Sequence, residues 1–238
     1  MTVEGRLRVV SGLRLGAGAH AAPDGAPDGA RLCVMEAVAY VAGEPWSDRP
    51  ACASSVVSAF MRPWNDAMAD DERQSLRRYI ARLVGSRGTD EQEMQRSWMA
   101  LDWLVRVYAP AWLDAAGLGD HADGLRSLRR ISSGRRVAEA APVVVAARTA
   151  ARAAARTAAG PAAGAAAGPA AWDAAAAAAW AADWATAGAA DWATARAAAG
   201  AAAAWATSED ALAPTVAALQ ASAHDLIDRM LRVTEEGS

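Results

Sequence analysis

Lysine is absent from this 238-residue sequence, phenylalanine occurs once, and only two cysteines and three histidines are present. Arginine therefore supplies all 24 basic side chains, a bias expected of a GC-rich bacterial genome rather than a signature of nucleic-acid binding. The formal net charge of -3 argues against a protein whose whole surface coats nucleic acid. The two cysteines are expected to be reduced thiols in the cytoplasm, with a disulfide disfavoured.

Long uncharged apolar runs are also missing. The N-terminal region contains arginines and no continuous apolar stretch, so the sequence predicts neither a signal peptide nor a membrane anchor. Arginines, aspartates, glycines and prolines interrupt the alanine-rich C-terminal half, and we expect no transmembrane helix there. Nucleophile-elbow, Walker and dinucleotide-binding glycine motifs are absent, and no cofactor is predicted.

The spacing of apolar residues indicates helices throughout the compositionally complex part of the sequence. The clearest helix begins with the capping-box spacing of Asp90 and Glu93. It continues as a buried apolar stripe that includes Met94 and Trp98, and Pro110 is expected to end it. Several short helices with brief connections predict an all-α fold, a multi-helix bundle with an Ala/Trp-rich helical C-terminal region.

Changes in composition divide the chain into five predicted segments. Residues 1–31 are predicted to be a flexible N-terminal segment with no packed element, because they are rich in turn-forming proline, aspartate and glycine. The other segments are a helical core domain (32–118), an Arg-rich helical segment (119–160), an Ala/Trp low-complexity helical region (161–206) and a C-terminal helix (207–238).

The segment between the two cysteines holds the first candidate site. Glu36 is the lone carboxylate in the otherwise uncharged run 32–43, which predicts a short helix that Gly43 ends. A charge in an apolar run must be paired, solvated or shifted in pKa. Cys33, Glu36 and Cys52 are therefore the candidate catalytic residues, suited to acid/base or nucleophilic chemistry.

Tyr40 shares a helix face with Cys33 and Glu36, and Trp46, Asp48 and Cys52 would complete a pocket around that face. The alternative is that this face is the one solvated stripe of an apolar helix, with its cysteine packed as a small hydrophobe. Four side chains here can ligate metal, but no histidine is near and the paired C-x-x-C spacing is missing. No metal site is predicted.

The second candidate site is a basic ridge. Arg148, Arg152 and Arg156 repeat every four residues on one predicted helix, and eight arginines but one acid lie between residues 126 and 156. Such a ridge suits phosphates or an acidic partner. The alternative is an ion-pair surface within the molecule, with acids around residues 66–72 and 90–93 facing the ridge.

The Ala/Trp tract is the most unusual part of the composition. Alanine has the highest helix propensity, so helix is the expected local state. A helix of small residues with several tryptophans favours a hairpin packed on the domain or a self-association surface. The alternative is a partly ordered tail produced by compositional drift.

Residues 32–118 resemble a family of uncharacterised proteins from actinobacteria and their mobile elements. The stretches that carry the resemblance are CVMEAVAYVAGEPWSDRPAC, SAFMRPWNDAM, DDERQSLRRYIARLVGSRGTDEQE and WMALDWLVRVYAPAWLDAAGL. The family has no assigned activity, so the resemblance implies no catalytic residue.

These observations favour a cytoplasmic protein-interaction or scaffold module that binds a protein partner or associates with itself. The first alternative is a protein that binds nucleic acid or phosphate through the basic ridge. The second is an enzyme that uses the Cys/Glu site. No membrane interaction is expected.

Overall fold

The all-α fold is confirmed in a computed structural model, which describes residues 2–25, 27, 29–157, 173, 176 and 212–235. No strand forms among these residues; the single β-type pairing in them is an isolated parallel bridge between Leu15 and Leu32. No helix in the described ranges is both long and apolar enough to cross a membrane.

Between residues 55 and 157 the helices follow one another with short connections, as the sequence predicts, but residues 12–33 and 43–54 form longer ones. The first half contains α1 (Val3–Ser11), α2 (Val34–Ala42), α3 (Ser55–Ala67), α4 (Asp70–Arg73), a 3-10 turn (Gln74–Tyr79) and α5 (Ile80–Leu83). The second half contains α6 (Asp90–Trp103), a π turn (Leu104–Tyr108), α7 (Ala109–Ala115), α8 (Gly119–Arg126), α9 (Gly134–Thr157) and α10 (Ala213–Glu235).

Helix α2 lies at the centre of the first half, where α1, α3 and α5 pack around it. Nearly all of its residues are buried, as expected for a helix that is apolar on every side. Gly43 ends it with φ +79°, a left-handed conformation that favours glycine. A β-carbon at this position would also overlap the Arg6 guanidinium, which donates to the carbonyl of Tyr40.

An aromatic cluster joins α3 to the second half of the chain. The ring of Phe60 meets those of Trp64 and Trp103 edge-on, at centroid distances of 5.7 and 5.6 Å. Tyr108 packs on Trp103 at 5.2 Å. All four side chains are fully buried, and such contacts add about 0.5–1.5 kcal/mol per pair beyond the apolar area that they bury.

Two expectations for the helix at residue 90 are wrong. Thr89 is the N-cap, and Gln92 rather than Glu93 completes the capping box. Pro110 does not end the helical stretch either. A π turn over Leu104–Tyr108 shifts the backbone hydrogen bonds by one residue, so that the missing N–H of Pro110 is accommodated at the start of α7.

Helix α10 packs on α6, α7 and the π turn, so the C-terminal helix lies against the second half of the core. Its buried residues include Leu219, Leu226, Ile227 and Met230, whose spacing in the sequence puts them on one face of the helix. The fully buried Arg96 of α6 donates from Nε to the carbonyl of Met230 at 3.0 Å, and its Nη1 pairs with Glu93.

The expectation that residues 1–31 hold no packed element is wrong. They contain α1, and Val10, Leu13 and Leu15 are buried against the core. The Gln74 side chain accepts from the backbone N–H of Leu15 and donates to its carbonyl. The five-segment division of the chain stays a prediction, and the Ala/Trp region (161–206) lies outside the described residues apart from positions 173 and 176.

Candidate functional site

Glu36 is buried, with 1% of its side chain exposed, and both of its carboxylate oxygens accept hydrogen bonds. Oε1 accepts from the backbone N–H of His20 at 2.6 Å. Oε2 accepts from the backbone N–H of Cys33 at 2.7 Å and lies 2.9 Å from Nδ1 of His20. A buried carboxylate costs free energy unless donors surround it, and here three donors do so.

The start of α2 explains why a carboxylate occupies this position. Cys33 is the N-cap, and its Sγ accepts from the backbone N–H of Glu36 at 3.4 Å. The Glu36 carboxylate reaches back to the N–H of the capping residue, which completes a capping box. The negative charge also lies in the first turn, where the helix dipole stabilises it.

His20 connects the N-terminal segment to this cap. Nδ1 of His20 lies at hydrogen-bond distance from the Glu36 carboxylate, to which it donates in the tautomer that is protonated at Nδ1. The carbonyl of His20 accepts from Nε1 of Trp46 at 2.9 Å. Glu36 therefore holds three segments together: the chain before α2, the start of α2 and the loop after it.

Both thiols are free, and both have raised pKa values. Burial raises the pKa of Cys33 to about 12, with the neighbouring Glu36 charge adding to the effect. Burial also raises the pKa of Cys52, and Glu44 contributes. A reactive cysteine needs its thiolate near neutral pH. This geometry gives neither cysteine the environment of a nucleophile.

We therefore expect Cys33 to resist alkylation by iodoacetamide at pH 8 in the folded protein and to react at the rate of a free thiol in urea. The half-buried Cys52 should be alkylated first. Mass spectrometry of peptides from a timed reaction measures both rates. Rapid native modification of Cys33 would contradict the structure.

Tyr40 and Asp48, which the sequence places in one pocket with Cys33 and Glu36, contact arginine side chains. Tyr40 has the guanidinium of Arg6 over its ring at 5.9 Å. Asp48 lies 3.8 Å from Nε of Arg49 and 3.7 Å from Nη1 of Arg62. Among the described residues no group of three or more histidine, cysteine or acidic side chains is placed to hold a metal. A catalytic role for Cys33, Glu36 and Cys52 stays a prediction.

The predicted basic ridge lies on α9. Arg148 is half-buried and Arg152 is exposed, and the side chain of Arg156 lies outside the described part of the structure. Other arginines of this region form local ion pairs: Arg126 with Asp114 and Asp123, and Arg135 and Arg136 with Glu139. The predicted acidic partners at residues 66–72 and 90–93 make none of these pairs. Binding through Arg148, Arg152 and Arg156 stays a prediction.

A groove that the sequence did not predict lies between α6 and the loop before α9. It measures about 630 Å³, and its floor is apolar. Asp90, Glu91, Met94, Gln95, Trp98 and Met99 line one side, and Arg130, Ile131 and Ser132 line the other. Met94 and Trp98 belong to the predicted stripe, but both are only partly buried, whereas Leu101, Val105 and Tyr108 of the same stripe are fully buried.

No protein-family model, curated protein or solved structure matches this chain. The resemblance of residues 32–118 to a family of actinobacterial and mobile-element proteins stays a prediction. Function therefore has to be inferred from the contacts, burial and charges of the chain's own residues.

Proposed function

We propose that this protein is a cytoplasmic interaction module that associates with itself through the groove between α6 and the loop before α9. The observation that carries the proposal is the open apolar floor made by Met94, Trp98 and Met99. Tryptophan and methionine are enriched at protein interfaces, where a partner removes their remaining surface from water. The two free thiols are consistent with a reducing compartment.

The charges around the groove favour a second copy of the chain as the partner. Asp90 and Glu91 lie on one side and Arg130 lies on the other, all three exposed. None of these three side chains has an ion-pair or hydrogen-bond partner in the described ranges. In a twofold dimer the acidic side of each copy faces the basic side of the other. The contact between the acids and Arg130 therefore occurs twice, once on each side of the symmetry axis.

Single charge reversals test this arrangement. Glu91→Arg and Arg130→Glu each place like charges opposite one another in the dimer. Each variant is expected to weaken self-association at least tenfold, because like charges across an interface oppose docking. Sedimentation velocity over a series of protein concentrations measures the change.

Arg135→Glu is the matched control, since Arg135 is exposed on α9 and pairs only with Glu139 in its own helix. It should leave association unchanged. Trp98→Ala should weaken association through loss of apolar contact rather than charge. A wild-type chain that stays monomeric at high concentration would contradict the proposal, as would equal weakening by the control.

A further inference from the structure

Three arginines from different parts of the chain converge on a small pocket at the N-terminal half of α3. Arg49 comes from the loop after α2, Arg62 from α3 and Arg87 from the loop before α6. The pocket measures about 250 Å³, and Pro50, Ala51, Ala53, Ser55 and Ser58 supply the rest of its lining. It lies apart from the groove, and the two share no residue.

Two polar atoms of the residues that line this pocket make no hydrogen bond to the described chain. Ser58 is 6% exposed, and among the described residues its Oγ has no hydrogen-bond partner. Nη1 of Arg62 is also buried without a hydrogen bond in this part of the chain, although the Asp48 carboxylate lies 3.7 Å away. Buried polar groups in folded proteins are nearly always hydrogen-bonded, so two unpartnered groups in one pocket leave room for a water or a ligand to bind them. Ser58 and Arg62 are four residues apart on α3 and so share one face.

The charge of the pocket is only partly balanced: besides Asp48, the carboxylates of Glu44 and Glu93 accept hydrogen bonds from the lining residues Ala51 and Ser55. Asp48 is the acid nearest to Arg62, at 3.7 Å, and it also faces Arg49 at 3.8 Å; both separations exceed hydrogen-bond length. Arg87 donates only a long bond, 3.4 Å, to the carbonyl of Ala51. Burial lowers the pKa of Arg62, and the charge of Arg49 lowers it further, as expected where cations crowd together.

We propose that this pocket binds the phosphate group of a small phosphate ester. Guanidinium groups match phosphate oxygens with paired N–H donors, and three of them suit a dianion better than a monoanionic carboxylate. The hydroxyl of Ser58 supplies a further donor. Pockets that enclose drug-sized ligands measure about 300–1,000 Å³, so this one holds a phosphate and only a few further atoms.

The test is isothermal titration of the full chain with inorganic phosphate and then with phosphoserine as the free amino acid, at constant ionic strength. The wild-type protein is expected to bind both saturably. Arg49→Ala and Arg87→Ala change exposed side chains and should each weaken binding at least tenfold, because each removes charge-assisted hydrogen bonds. Ser58→Ala should weaken it several-fold without altering the charge.

Arg129→Ala is the matched control, since Arg129 is exposed and lies outside the pocket. It should bind phosphate as the wild type does. Far-UV circular dichroism confirms that each variant is folded. Absence of saturable phosphate binding by the wild type overturns the proposal. Equal weakening in Arg129→Ala, or acetate binding as tight as phosphate binding, overturns it as well.

Discussion

Replacing Arg96 with alanine is expected to lower the free energy of unfolding by about 3–5 kcal/mol, the cost of removing one partner from a buried ion pair. Arg96 is fully buried and Glu93 is 12% exposed, so neither charge is well solvated. Without Arg96, the carbonyl of Met230 loses a donor, whereas α10 keeps the hydrogen bonds that it receives from Gln92 and Trp103 of α6. Urea unfolding followed by tryptophan fluorescence measures the loss.

The destabilisation caused by Arg96→Ala should depend on pH because its ion-pair partner, Glu93, titrates. Burial acts to raise the pKa of Glu93, but hydrogen bonds from Ser54 and Val56 and the charge of Arg96 outweigh it and hold the pKa below its ordinary value. A lowered folded-state pKa stabilises the protein above the unfolded pKa, and that contribution disappears as pH falls through the folded pKa. The difference between wild type and Arg96→Ala should therefore narrow on acidification from pH 7 to pH 3.

The exposed pair of Arg135 and Glu139 provides the control for Arg96→Ala. The Arg135 side chain is 88% exposed, so Arg135→Ala should change the free energy of unfolding by less than about 0.5 kcal/mol. If Arg96→Ala lowered the free energy of unfolding by as little as this, the buried pair of Arg96 and Glu93 would not stabilise the fold as we expect.

Replacing Glu36 with alanine is expected to lower the free energy of unfolding by about 2–4 kcal/mol. The substitution leaves two backbone N–H groups and Nδ1 of His20 without their acceptor. Glu36→Gln should cost less, because its amide oxygen still accepts while its NH2 group faces one of the donors. Hydrogen exchange adds a local readout: the amides of His20 and Cys33 should exchange faster in both variants.

Glu4→Gln is the control for Glu36, since Glu4 is exposed on the first turn of α1. Its free energy of unfolding should stay within about 0.5 kcal/mol of the wild type. If Glu36→Ala matched this control, the carboxylate would not join the N-terminal segment to α2.

Local sequence predicts much of the fold because helix periodicity and caps depend on neighbouring residues. The helix ended by Gly43 and the buried stripe of α10 follow from such patterns. The continuation of helix through Pro110 could not be predicted in this way. It depends on the π turn before the proline, and no local sequence pattern indicates that turn.

The Glu36 site, the arginine pocket and the groove are harder to predict from sequence than the helices, because their residues are far apart in the chain. His20 lies 16 residues before Glu36, in a segment without helical periodicity. Arg49, Arg62 and Arg87 meet only after the loops beside α2 and α6 fold against α3, and no spacing distinguishes them in a chain whose every basic residue is arginine. Trp98 has the spacing of a core residue, and only the structure reveals that its partner surface is incomplete.

Self-association through the groove is tested most directly by mixing the two charge-reversed variants, Glu91→Arg and Arg130→Glu. A twofold dimer with one copy of each variant has two contacts between residues 91 and 130. One contact joins the two altered side chains, whose charges are again opposite. The other joins the unaltered Arg130 of one copy to the unaltered Glu91 of the other. Sedimentation equilibrium of the equimolar mixture should give twice the 24.5 kDa mass of the chain, while each variant alone sediments as a monomer. A mixture that stays monomeric, beside a wild type that forms dimers, would show that the dimer uses another surface.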